Sequence, residues 1–166
     1  MAAKNSIDLD HDPRAIIGVR ELDAPRHLVF AAWTDPKHLD QWWGPYGFTT
    51  TTSSFEFKPG GVWRYVMHGP DGRDYQNLIT FEEIVPPERL VYRHGGADAE
   101  PVHFRHTVSF EDLAGETLGV RTRVTVRSDF ATAAERDRVI KEYGADKGLA
   151  ETMARLGDFV AEKMPG

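Results

Sequence analysis

At 166 residues with 40% hydrophobic content and a formal charge of −6, the chain suits one globular domain whose core needs neither metal nor disulfide. The acidic balance argues against a nucleic-acid partner, which requires phosphates to be neutralised by Lys and Arg. With no cysteine there are no disulfides, thiolate metal sites or cysteine nucleophiles, and a reducing cytoplasm is compatible.

Residues 1–13 are polar, lack the apolar core of a signal peptide, and read as a flexible N-terminus. No later stretch approaches the length of a membrane span, so a cytoplasmic chain with no membrane partner is expected. Arg14 to Leu22 is β-branched and apolar enough for a first strand. Asp23-Ala24-Pro25 and Thr34-Asp35-Pro36 are helix-start signals. They open two short helices, PRHLVFAAW, with Leu28, Val29, Ala32 and Trp33 inward, and KHLDQWW, stopped at Gly44-Pro45.

The period then changes to two. Phe48 to Phe57, Val62 to His68, Arg73 to Val85 and Arg89 to His94 read as strands separated by Gly and Pro turns. Gly95 to Pro101 reads as a mobile loop. In Val102 to Glu111, alternation puts Val102, Phe104, His106, Val108 and Phe110 on one face. In Thr117 to Arg127 it puts Leu118, Val120, Thr122, Val124 and Val126 opposite Arg121, Arg123, Thr125 and Arg127. One apolar and one wet face mark an antiparallel sheet covered on one side. Thr132 and Glu135 form a capping box that opens a helix ending near Gly144.

From Asp146 to Lys163, Leu149, Met153, Leu156 and Val160 lie on one helical stripe. A second stripe is small: Ala150, Ala154, Gly157 and Ala161. The remaining face, with Glu151, Arg155, Asp158 and Glu162, reads as solvated. At roughly 27 Å such a helix can cross a sheet. The expected fold is α+β: a seven-stranded curved antiparallel sheet wrapped around a long C-terminal helix, with two short helices between strands 1 and 2.

This order resembles the helix-grip fold of the START/SRPBCC superfamily, with 14–166 as one such domain. The local motifs are more specific. Asp23-Ala24-Pro25-Arg26, Val29-Phe30, Ala32-Trp33-Thr34-Asp35-Pro36, Trp42-Trp43-Gly44-Pro45, Pro59-Gly60-Gly61 with Trp63, Pro70-Asp71-Gly72 and Ile84-Val85-Pro86-Pro87-Glu88-Arg89-Leu90 resemble the family named for the activator of the heat-shock protein 90 ATPase. The resemblance implies a cavity for a small apolar or aromatic ligand between sheet and helix, and homodimers occur among relatives. The eukaryotic activator's separate chaperone-binding domain has no counterpart in this sequence.

Inward aromatics and aliphatics would line such a cavity: Trp43, Trp63, Tyr65, Met67, Tyr75, Ile79, Phe81, Phe104 and Met153. Core filling is the simpler reading of the same residues. Asn77 and His106 are polar side chains on apolar faces, hence the candidate anchors, and His106 is the one candidate proton acceptor. No GxSxG nucleophile motif is present. His103 and His106 point to opposite faces of a strand, which argues against a metal site, and the glycine clusters lack a phosphate-loop pattern. No cofactor is implied. Trp42 and Trp43 read as packing residues, with one partly exposed or closing the pocket mouth. Arg105, Arg121, Arg123 and Arg127 face outward, where cross-strand pairing with carboxylates is the default and an acidic partner the alternative. Non-enzymatic binding of a small hydrophobic or aromatic ligand is the leading expectation. A polyketide-cyclase or hydrolase-type enzyme and a co-chaperone-like interaction module are the alternatives.

Overall fold

The computed structural model describes residues 5–95, 102–113 and 121–164, except the side chains of Val102 and His103. Eight strands form one antiparallel sheet: β1 (Asn5–Asp8), β2 (Ala15–Leu22), β3 (Thr49–Phe55), β4 (Val62–His68), β5 (Asp74–Val85), β6 (Arg89–Gly95), β7 (Val102–Asp112) and β8 (Thr122–Asp129). Their spatial order is β1-β2-β8-β7-β6-β5-β4-β3. Helices α1 (Arg26–Thr34) and α2 (Pro36–Trp42) follow β2, while α3 (Ala133–Tyr143) and α4 (Ala145–Lys163) end the chain.

The expected architecture holds, with one strand more than expected. Asn5 to Asp8, inside the stretch read as a flexible terminus, pairs with β2 from Arg20 to Ile17. Four residues are too few to show a period. Tertiary contacts hold them: Ile7 and Leu9 pack on Ile16, Phe130 and Val139, and Arg136 Nη1 donates to the Leu9 carbonyl at 2.6 Å and the Ala15 carbonyl at 3.1 Å. The loop at 96–101 and residues Leu118 and Val120 lie outside the described residues.

Both short helices form where expected, α1 directly after Pro25 without a side-chain cap and α2 with a capping Asp35. Asp35 accepts the Lys37 amide at 2.9 Å at the start of α2, and Trp42 Nε1 donates to the Ala32 carbonyl at 3.0 Å, locking α2 onto α1. Phe30 joins Val29, Ala32 and Trp33 in the core, while Leu28 is only half-buried.

Helix α4 lies across the concave face of the sheet, with Met153, Leu156, Phe159 and Val160 buried. Gly18 of β2 makes this approach close: a methyl placed there would sit 2.9 Å from both Leu149 Cδ2 and Met153 Sδ. The polar face of α4 departs from expectation at two positions. Arg155 is half-buried and donates to main-chain carbonyls after α2, and Glu151 accepts the Tyr46 amide at 3.1 Å.

On the outer face the arginines take the default arrangement. Arg105 pairs with Glu82 at 2.7 Å, Arg121 with Asp23 at 2.8 Å, Arg123 with Glu21 at 3.1 Å, and Arg127 with Asp12 at 2.7 Å. The pairs whose two members both reach water each contribute about 0–1 kcal/mol; Glu21 differs, its side chain being only 7% exposed between Arg121 and Arg123. Their effect is to leave a ladder of already engaged guanidinium groups.

Candidate functional site

Register assembles the inward side chains into rows that cross the sheet. One row runs Trp63, Ile79, His94, Phe104 across β4 to β7, and the next runs Phe81, Tyr92, His106, Ser128, Ile16 across β5, β6, β7, β8 and β2. Along the strands, these rows grade from closed to open. Leu90, Val108 and Phe110 are sealed at the end covered by α1. Toward the opposite end, where β4 and β6 finish and β5 and β7 start, His94, Phe104 and His106 are half-buried, as are Met67 and Asn77, and Tyr75 is 40% exposed.

The expected lining residues therefore fall into two groups. Trp63, Tyr65, Ile79 and Met153 are at most 2% exposed, which leaves no water-sized space against them; Trp43 and Phe81 are buried beside them. They form a continuous floor of rings: Trp63 stacks on Tyr65 at 4.1 Å, and Trp43 meets Trp63 edge-on at 5.1 Å. Trp42 and Trp43 both pack inside. Met67, Tyr75, Phe104 and His106 lie above this floor at the open end. Asn77 sits at the rim, where its amide donates to the Tyr75 carbonyl at 3.0 Å.

Two tyrosine–histidine pairs supply the polarity of this wall. The Tyr65 hydroxyl lies 3.0 Å from His94 Nε2, and His106 Nδ1 lies 3.0 Å from the Tyr92 hydroxyl. Phe104 stacks on His94 at 4.7 Å and contacts His106 at 4.9 Å, joining the pairs. Tyr92 and His94 are not among the sequence-derived candidates, although Leu90, Tyr92 and His94 alternate toward the same face.

Burial fixes the protonation of these groups. It raises both phenols well above their ordinary range. It also lowers His106 from 6.5 to about 3, with repulsion from His94 acting in the same direction. At neutral pH His106 and the two phenols are uncharged. His106 is a poor general base, since an efficient one has a pKa near the working pH.

Other constellations point elsewhere. Thr51 Oγ1 lies 2.8 Å from His68 Nε2, and His68 Nδ1 lies 2.7 Å from Asp74 Oδ1, the order of a nucleophile, base and orienting carboxylate. This trio stands on the outer face, with the His68 side chain 38% and the Asp74 side chain 59% exposed. Water there weakens any stabilisation of developing charge, and the trio is a cross-strand hydrogen-bonded ladder. A groove of about 250 Å³ lies between residues 20–23 and Gly157, Asp158, Val160 and Ala161 of α4, away from every candidate lining residue. Among the described residues, no three His, Asp or Glu side chains converge as metal ligands, and no helix is long and apolar enough to cross a membrane.

Comparison with known proteins agrees with this fold. A protein from Arthrobacter aurescens, solved in solution, superposes with a TM-score of 0.84 at 30% identity, over 96% of this chain and 92% of that one. A Mycobacterium smegmatis protein superposes with a TM-score of 0.82 at 23% identity, over 94% and 96%. DynU16, from the dynemicin biosynthetic locus, shares the fold at a TM-score of 0.63 and 19% identity, over 92% of this chain and 49% of its own. No protein of curated function matches the sequence. The family described as activator of Hsp90 ATPase homologue 1-like protein matches residues 23–161. With most of its length matched and the helix-grip architecture in place, the chain belongs to the activator of Hsp90 ATPase homologue 1-like family.

Proposed function

We propose that this protein binds a small apolar or aromatic molecule at the open end of the concave sheet, without transforming it. The observation that carries the reading is the placement of the Tyr65–His94 and Tyr92–His106 pairs in an otherwise apolar wall, at the level where exposure begins to rise. A guest that lies on Phe104, beside His94 and His106, buries apolar area, and a hydroxyl or carbonyl on it can share the hydrogen bonds of the imidazoles. Burying about 300 Å² at roughly 25 cal/mol/Å² supplies about 7 kcal/mol. Association costs several kcal/mol, so the polar anchors decide affinity and selectivity.

A cyclase or hydrolase reading of the same wall is less well supported, because His106 is shifted well below neutral pH and both phenols well above their ordinary range, so these three groups are poorly matched to general acid–base work there. The co-chaperone reading rests on the family name alone. The absence of cysteine fits a cytoplasmic setting.

Native mass spectrometry of protein purified from its own source tests the proposal. A retained small molecule, lost on substitution His106→Leu in a variant of unchanged fold, is the expected result. Protein that carries no adduct, and that binds no member of a neutral aromatic ligand panel by tryptophan fluorescence titration, would remove the reading.

A further inference from the structure

The ring floor is closed, so a guest at the open end reaches beyond Met67 and Tyr75 only where a covering wall can yield. The sheet is laddered by main-chain bonds on every inner strand, and α4 is pinned by its fully buried Met153 and Leu156. The segment 43–48, between α2 and β3, is held differently. Its own backbone bonds within or next to it are Trp43 N to Leu39 O and Phe48 N to Pro45 O, 2.9 and 3.1 Å. Its attachment to α4 comes from two side chains one helical turn apart. Arg155 Nη1 donates to the carbonyls of Trp43, Gly44, Pro45 and Phe48 at 2.9–3.4 Å, and its Nη2 donates to the Gln41 carbonyl at 3.2 Å. Glu151 accepts the Tyr46 amide.

This segment leans on the open end of the sheet. A Cβ at Gly44 would lie 3.0 Å from Met67 Cε, one at Gly47 would lie 3.3 Å from Pro70 in the β4–β5 hairpin, and Phe48 meets Tyr75 at 6.0 Å. Gly44 at φ 109° and Gly47 at φ 86° bracket Pro45-Tyr46, and in that left-handed region glycine keeps a freedom other residues lack. Beneath the segment sits the Trp43 ring, edge-on to Trp33, Trp42, Trp63 and Tyr65. Swinging the segment away moves the Trp43 ring off Trp63 and Tyr65 and releases the Trp43 carbonyl from the buried Thr50 hydroxyl, which donates to it at 2.9 Å.

We propose that segment 43–48 is the movable wall through which the site is entered, and that Arg155, with Glu151, is the positioning residue that latches it shut. This rests on the proposed ligand site for its purpose, but the latch can be tested without a ligand. Arg155 is desolvated and donates to neutral main-chain carbonyls, so its hold is by geometry. Lysine, lacking the planar fork, cannot reproduce it.

The experiment is hydrogen exchange on the wild type, Arg155→Met and Arg155→Lys, with stopped-flow binding of the neutral fluorophore N-phenyl-1-naphthylamine. Both variants are expected to raise exchange at 43–48 by tenfold or more while β5 to β8 keep their protection, and to raise the probe's association rate severalfold. Glu151→Gln, which keeps the acceptor but loses its charge, is expected to accelerate Tyr46 amide exchange by less. Unchanged exchange at 43–48, or acceleration spread equally over the sheet, overturns the latch. Local opening with an unchanged association rate overturns the segment as entrance while leaving the ligand site standing. Failure of the probe to bind any form, with no competing panel ligand, overturns both.

Discussion

Removing the histidine from the Tyr92–His106 pair should flatten part of the protein's acid sensitivity. In the folded chain burial holds the His106 imidazole near 3, against 6.5 for the free side chain. Because the folded value is depressed, the unfolded chain binds the proton more readily. The neutral ring's contribution is therefore complete above the unfolded value and is lost as pH falls from about 6.5 toward about 3. At pH 5 an unfolded imidazole is protonated roughly thirty to one, while the folded one remains neutral, so the loss is about RT ln 33, or about 2 kcal/mol.

The perturbation is His106→Gln, which preserves a hydrogen-bonding partner for Tyr92 without a titrating group. The assay is guanidinium unfolding of both proteins at pH 8 and pH 5, with the slope of unfolding free energy against denaturant checked for constancy. Other ionisable groups act in both backgrounds and largely cancel in the difference. The variant should gain about 2 kcal/mol relative to the wild type between pH 8 and pH 5, whatever its stability at pH 8. A stability difference that is the same at both pH values would refute the claim that His106 is held neutral by burial.

Gly18→Ala should cost about 1–3 kcal/mol in the same unfolding assay, because the new methyl meets Leu149 Cδ2 and the fully buried Met153 Sδ at 2.9 Å and α4 has no slack there. Thr122→Val keeps the shape but leaves the Ala24 carbonyl, now bonded at 2.7 Å by a fully buried hydroxyl, without that donor; a loss of about 1–2 kcal/mol is expected. Thr132→Ala removes the cap on the Glu135 amide at 3.1 Å and should cost about 1 kcal/mol, with fraying confined to α3 on hydrogen exchange. His68→Gln should leave p-nitrophenyl acetate turnover at the wild-type level, since the Thr51–His68–Asp74 trio lacks a sheltered site; a clear drop would reopen it as a catalytic group.

Much of the fold is legible because period and punctuation agree with tertiary structure. Thr122, Val124 and Val126 alternate in sequence and are all buried in β8, and the Thr132–Glu135 spacing becomes the cap of α3. Tyr92 and His94 are equally legible, two residues apart after Leu90, although the segment is short and ends in a polar run. The first strand is not legible, because its hold comes from Arg136 and the Phe130 cluster, more than a hundred residues away. Arg155 is misread for a related reason. A helical period assigns it to the polar face, and only the return of 43–48 across that face turns the polar side into a docking surface.

The site is harder to read than the fold because alternation reports which face a side chain takes and nothing about what lies over it. Trp63 and Phe104 occupy one inward row, and by sequence both are aromatic residues at strand positions of the same parity. Trp63 is sealed by the Trp43 ring, carried by the segment after α2, while Phe104 sits where β7 begins and stacks on His94 in a half-buried position. The difference is one of coverage: Trp43 lies over Trp63, and Phe104 is left half-buried. The same logic explains why one inward row can be closed on β4 and β5 and half-covered on β6 and β7. Within that row Trp63 and Ile79 form the sealed part and His94 and Phe104 the half-covered part. The boundary between them falls at Trp43, the residue whose backbone carbonyl Arg155 holds.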